Sequence, residues 1–131
     1  MIKYLLDTHI VIWLAREPNK LSKTVADILE NPGNTIYFST VNLWEIALKT
    51  NLKKDGFKFD TVKLYQRLLE NGFLELGIDH KYTKILENLP IIHKDPFDRM
   101  LIAQSMIDDL CLITNDDKIV QYQGVRFLTN D

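Results

Sequence analysis

With 131 residues, 46% hydrophobic and 26% charged, the chain has the size and composition of one folded domain around an ordinary core, which excludes disordered, collagen-like and mucin-like classes. A formal net charge of -2 argues mildly against a uniformly basic nucleic-acid-binding surface, although Lys49, Lys53, Lys54, Lys58 and Lys63 oppose only Asp55 and Asp60, a local excess of three positive charges. The lone Cys111 cannot form an internal disulfide, the apolar stretch around Ile10 to Ala15 is too short for a bilayer, and no signal-peptide pattern opens the chain, so a cytoplasmic, non-membrane protein is expected.

In chain order, Lys3–Leu6 reads as a strand and Ile10–Arg16 as a helix, followed by a helix over Ser22–Glu30 and a strand over Thr35–Ser39. Helices are predicted over Val41–Asn51 and Asp60–Asn71, a strand over Phe73–Gly77, and helices over Lys81–Asn88 and Pro96–Asp108. Strands over Leu110–Thr114 and Arg126–Leu128 complete the set, and turn signals such as Asn31-Pro-Gly-Asn34 and Asn71-Gly72 fall between elements. Most of the strands lack polar alternation, as expected when helices cover both faces of a parallel sheet. The prediction is one domain, residues 1–131, with three α/β/α layers and a central, mostly parallel five-stranded sheet.

Ligands of such sheets bind beyond the carboxyl ends of the strands. Asp7 follows the first strand and Asp116 the fourth, although an aspartate in such a place also suits a helix N-cap. Glu45 interrupts the apolar run Val41-Asn-Leu-Trp-Glu-Ile-Ala-Leu48. It forms a polar stripe with Asn42 and Lys49 that equally suits a surface pair with Lys49. Asp98 stands at the head of an apolar helix face carrying Leu101 and Ile102, three positions after Asp95, which suits the N-cap, and two after Pro96. Gathered at one rim, Asp7, Glu45, Asp98 and Asp116 would repel one another and be costly to desolvate. A divalent cation relieves that cost, and Mg2+ or Mn2+ accepts carboxylate oxygens without cysteine or histidine. Such a cation promotes phosphodiester hydrolysis by activating water and neutralising charge on the phosphoryl oxygens.

At Leu5-Leu-Asp-Thr-His9, Ser39-Thr-Val-Asn-Leu-Trp-Glu-Ile-Ala47, His93-Lys-Asp-Pro-Phe-Asp-Arg-Met-Leu-Ile-Ala-Gln104 and Leu112-Ile-Thr-Asn-Asp116, the chain resembles the PIN-domain family, in particular its VapC-type toxins. The resemblance spans essentially the whole chain and implies a metal-dependent endoribonuclease acting as the toxin of a toxin-antitoxin pair. It implies Asp7, Asp98 and Asp116 as metal residues, Glu45 as a fourth catalytic carboxylate, and Ser39 and Thr114 as supporting polar groups. Asp117 competes with Asp116, and the resemblance, through the family's two-residue step from the threonine, here Thr114, favours Asp116. The partners implied are RNA, of the transfer-RNA or another structured class, a cognate antitoxin and a second copy in a homodimer. Lys49, Lys53 and Lys54 are the candidate RNA contacts, and Ile10, Trp13, Leu14 and Trp44 are candidate exposed anchors for the antitoxin, with packing favoured over base stacking for both tryptophans. His9 and His93 read less well as general bases than as bystanders.

The competing reading is a PIN-like module that binds RNA or protein without cleaving, which would have no use for four clustered carboxylates. A haloacid-dehalogenase phosphatase would carry a second aspartate where His9 stands, and a receiver domain would carry acids where Leu5 and Leu6 stand.

Overall fold

The computed structural model describes residues 1–131, and its strands and helices follow the predicted order. The strands are β1 (Lys3–Leu6), β2 (Thr35–Ser39), β3 (Leu74–Leu76), β4 (Cys111–Thr114) and β5 (Arg126–Thr129). The helices are α1 (Thr8–Arg16), α2 (Lys23–Glu30), α3 (Thr40–Leu52), α4 (Thr61–Glu70), α5 (Thr83–Asn88) and α6 (Pro96–Ile107). The third strand is shorter than predicted because Phe73 turns into the core and Gly77 lies beyond the last paired residue, Leu76.

The five strands form one sheet in the order β3-β2-β1-β4-β5, and every neighbouring pair is parallel. Successive side chains of a strand point to opposite faces, so two adjacent buried leucines require cover on both sides. Leu6 and Ile113 pack into one cluster with Ile10, Val11, Val25 and Leu64, beneath α1, α2 and α4. Leu5 and Leu112 enter the opposite cluster with Leu101, Ile102 and Tyr122, beneath α6. Each such fully buried aliphatic chain stabilises the fold by roughly 1.5–3 kcal/mol. β4 is buried at all four positions, whereas the edge strands β3 and β5 leave most of their side chains at least partly open. No helix is long and apolar enough to cross a membrane.

Ile10 is a correction to the expected set of exposed anchors, because it is fully buried at the start of α1. Trp13 and Leu14 are half-buried against the same core, and only Trp44 stands out to solvent, 59% exposed and edge-on to Phe97 at 4.9 Å. The packing favoured for both tryptophans therefore describes Trp13, whereas Trp44 touches Phe97 and leaves more than half of its surface open.

From β1 the chain adds β2 and β3 on one side, then crosses back to add β4 and β5 on the other. The connections therefore diverge from the β1–β4 pair, and a crevice opens beyond its carboxyl end.

Candidate functional site

β1 delivers Asp7 into that crevice. The residue occupies the N-cap position of α1, yet its side chain makes no capping hydrogen bond, which sets aside the simple capping reading. Instead its Oδ2 accepts from the Thr114 hydroxyl at 2.7 Å, a contact between residues 107 positions apart that the β1–β4 pairing makes possible. The Thr114 oxygen in turn accepts from the Asp116 main-chain N–H at 3.0 Å. One hydroxyl at the end of β4 therefore links both strand-end aspartates. Asp116 turns inward, with Oδ1 accepting from the Lys118 N–H at 2.8 Å, while Asp117 is exposed.

α3 supplies Glu45. The stripe of Asn42, Glu45 and Lys49 faces the interior for its first two members: Asn42 is fully buried and Glu45 is 4% exposed. Asn42 ties this helix to β1, its Nδ2 donating to the Leu6 carbonyl at 3.1 Å and the Thr8 hydroxyl at 3.0 Å, while its Oδ1 accepts from the Ser39 N–H at 2.6 Å. Glu45 Oε2 pairs with Lys49 Nζ at 2.9 Å, as the helical spacing suggested, but Oε1 is buried without a partner. Asn42→Ala would orphan three buried groups, so an expected loss of about 3 kcal/mol should appear as a lower urea midpoint. A change below 1 kcal/mol would contradict this bracing role.

α6 supplies Asp98. Asp95 caps the helix as predicted, its Oδ1 accepting from the Phe97 and Asp98 N–H groups at 2.8 and 3.1 Å, and Pro96 fills the first turn. The Asp98 carboxyl is thereby left free to point into the crevice, where its Oδ2 meets His93 Nε2 at 2.9 Å. The same nitrogen lies 2.7 Å from Asp116 Oδ2.

Burial, reinforced by the charges of Asp7, Asp95, Glu45 and Asp116, pushes the Asp98 carboxyl up to about 8. Burial also raises Asp7, despite its hydrogen bond from Thr114. Asp116 goes the other way. Burial pushes it upward, but hydrogen bonds from the Lys118 N–H and from His93 outweigh that and hold it below the usual carboxylate range.

The PIN domain family model matches residues 4–125. The chain belongs to the PIN domain family. It is 23% identical over 130 residues to Ribonuclease VapC22 of Mycobacterium tuberculosis, covering 98% of each sequence. Among solved structures it resembles VapBC2 from Rickettsia felis bound to a DNA fragment from its promoter, with a TM-score of 0.76, 18% identity and full coverage of both chains. It also resembles the FitAcB structure from Neisseria gonorrhoeae, with a TM-score of 0.61, 24% identity, and 98% and 96% coverage.

Within this PIN domain, Asp7, Asp98 and Asp116 come from three different segments, and Glu45 adds its charge to those acting on Asp7 and Asp98. The Ser39 hydroxyl caps α3 by accepting from the Val41 N–H at 3.0 Å, and its main-chain N–H donates to the Oδ1 of Asn42 at 2.6 Å. Lys49 stands at the rim on Glu45, while Lys53 and Lys54 are exposed beyond the end of α3. Sequence reasoning gave His93 no place in the acidic cluster. The available signal was its position two residues before the N-cap of α6, which fixes it beside the helix start that carries Asp98.

The donor set fits a hard divalent cation. Several carboxylates converge, one buried glutamate oxygen has no hydrogen-bond donor, and Asp98 is driven to keep a proton in default of a positive charge. His93, Asp98 and Asp116 bring one candidate ligand atom each to within 4.8 Å of one another.

Proposed function

We propose that this chain is a metal-dependent endoribonuclease that acts as the toxin of a toxin-antitoxin pair, with Asp7, Asp98 and Asp116 holding Mg2+ or Mn2+ and Glu45 completing the site. The observation that carries this reading is the convergence of these carboxylates from four chain segments at the β1–β4 crevice, with Glu45 Oε1 left without a partner. A non-cleaving binding module would not need carboxylates held in so costly a state.

When bound, the cation supplies Lewis acidity, activating water and offsetting charge on the scissile phosphate. The residues of the chain supply the rest. Thr114 fixes the Asp7 carboxylate and the Asp116 backbone in one arrangement. Glu45 has a free Oε1 positioned to accept a proton or orient a water, while its Oε2 keeps Lys49 at the rim. Lys49, Lys53 and Lys54 form a basic approach that suits an RNA backbone and offsets the repulsion between phosphate and the acidic crevice. Structured RNA, transfer RNA included, is the substrate class, and the working form is a homodimer in the cytoplasm.

The partner is a small antitoxin protein. A cleft of about 400 Å³ between α1, α2 and α4, lined by Val11, Leu14, Leu29, Leu64, Leu68 and Arg67, offers an apolar seat for one of its helices. The test is incubation of purified protein with total RNA plus EDTA, Mg2+ or Mn2+, followed by end mapping. Defined cleavage only with metal, suppressed by adding the small protein encoded beside the gene, is the expected result. Metal-independent cleavage, or none in any arm, would refute the reading.

A further inference from the structure

The loop between α5 and α6 inserts an imidazole between two of the carboxylates. His93 is held there from several directions. Its main-chain N–H donates to the Tyr122 hydroxyl at 2.8 Å, and that hydroxyl donates to the Pro90 carbonyl at 2.8 Å. The Arg99 guanidinium, on α6, donates to the carbonyls of Leu89, Pro90 and His93 at 3.1, 3.0 and 3.1 Å. The loop is therefore braced against both α6 and the segment that follows β4.

The ring's orientation carries a chemical consequence. His93 Nδ1 accepts from the Asp95 main-chain N–H at 3.2 Å, so this nitrogen presents its lone pair and the ring proton resides on Nε2. That Nε2–H points at Asp116 Oδ2 and Asp98 Oδ2, 2.7 and 2.9 Å away. A protonated nitrogen offers no lone pair to a metal. Mg2+ takes oxygen ligands at about 2.0–2.1 Å, so an ion shared by these two oxygens would lie close to the space this nitrogen fills. Ring and cation thus compete for one place.

We propose that His93 is a positioning residue that stands in for the cation, its Nε2–H holding Asp98 and Asp116 together in the metal-free protein and giving way when those residues hold a divalent ion. The proposal rests on the assignment of Asp98 and Asp116 as metal residues. The ring keeps the two carboxyl groups in register, and it lowers the apparent metal affinity by the fraction of molecules in which it is in place. The Asp95 main-chain N–H, which fixes the ring, therefore acts on the metal site through His93 without touching the ion.

The decisive measurement is Mn2+ binding to the full chain after EDTA treatment, read from the electron paramagnetic resonance signal of free Mn2+. His93→Ala should bind Mn2+ more tightly than the native protein, by roughly threefold or more, while its metal-free melting temperature falls. His93→Gln, whose amide retains an N–H donor, should lie between. In nitrogen-15 spectra of the metal-free native protein, the His93 ring should be the Nε2–H tautomer, and Mg2+ should shift its signals more than those of His9 and His80. Weaker or unchanged Mn2+ binding in His93→Ala, or an Nδ1–H tautomer, would overturn the proposal. Should His93→Ala fail to fold, His93→Gln and the native spectra decide. A native protein that binds no Mn2+ defeats the metal assignment as well, whereas native binding without a gain on removal of the ring defeats this proposal alone.

Discussion

Asp98→Asn should reduce RNA cleavage by about a thousandfold or more while leaving the protein folded. Asparagine has nearly the same shape as aspartate, and the capping of α6 depends on Asp95, so the helix start survives the change. What disappears is a negative oxygen facing the crevice beside His93 and Asp116. Losing a cation's contribution of several kcal/mol to the transition state corresponds to that loss of rate. The metal-free variant should be more stable than the native protein at pH 8, because a buried charge and its repulsion with Asp7, Glu45 and Asp116 are gone. Matched single-turnover assays and melting curves in EDTA check both halves. Native-like cleavage by Asp98→Asn would remove Asp98 from the metal site.

Stability of the metal-free protein is expected to fall as pH rises from about 4 to 8, the reverse of an ordinary salt-bridged aspartate. In the folded protein Asp98 keeps its proton up to about 8, whereas its ordinary value is 3.8, so across this interval the folded state binds more protons than the unfolded chain. Raising pH then favours unfolding, and the loss is complete above the folded value. Asp7, also raised, contributes in the same direction, while the lowered Asp116 contributes stability that is lost only as pH falls below its ordinary value. The Asp98 contribution is on the order of a few kcal/mol. Mg2+ at about 100 times its dissociation constant should restore roughly 2.7 kcal/mol and flatten the slope, since it favours the ionised carboxylates. Urea midpoints at pH 5, 6.5 and 8, with EDTA or Mg2+, give the comparison, and Asp98→Asn in EDTA should show the shallower dependence. A metal-free stability that is flat or rises over this range would show that Asp98 ionises normally.

The fold was readable in the sequence because its signals are local. Near-continuous apolar strands report cover on both faces, and Asp95-Pro96 announces a helix start, so strands and helices fall close to their expected bounds. The positions of Asp7, Asp98 and Asp116 were legible for the same reason, each being tied to a strand end or a helix start. What the sequence left open depends on tertiary distance. The stripe of Asn42, Glu45 and Lys49 has the same periodicity whether it faces water or the interior, and only its packing against the end of β1 makes Asn42 a brace and leaves Glu45 half paired. The choice between Asp116 and Asp117 turned on the Thr114 hydroxyl and the Lys118 N–H. His93 was harder still, since its position depends on Tyr122 and Arg99, neither of which carries a motif of its own.

The pairing of β1 with β4 also decides when during synthesis the chain becomes able to act. Asp7 emerges early, but the hydroxyl that orients it belongs to Thr114, and the crevice has only one wall until β4 has docked. A nascent chain that has not reached Asp116, or a fragment from a break between Asp7 and Asp116, holds no more than three of the four carboxylates. Stalled translation and partial proteolysis should therefore yield inert fragments, and the cell is exposed to the intact enzyme only after the centre of its sheet has closed.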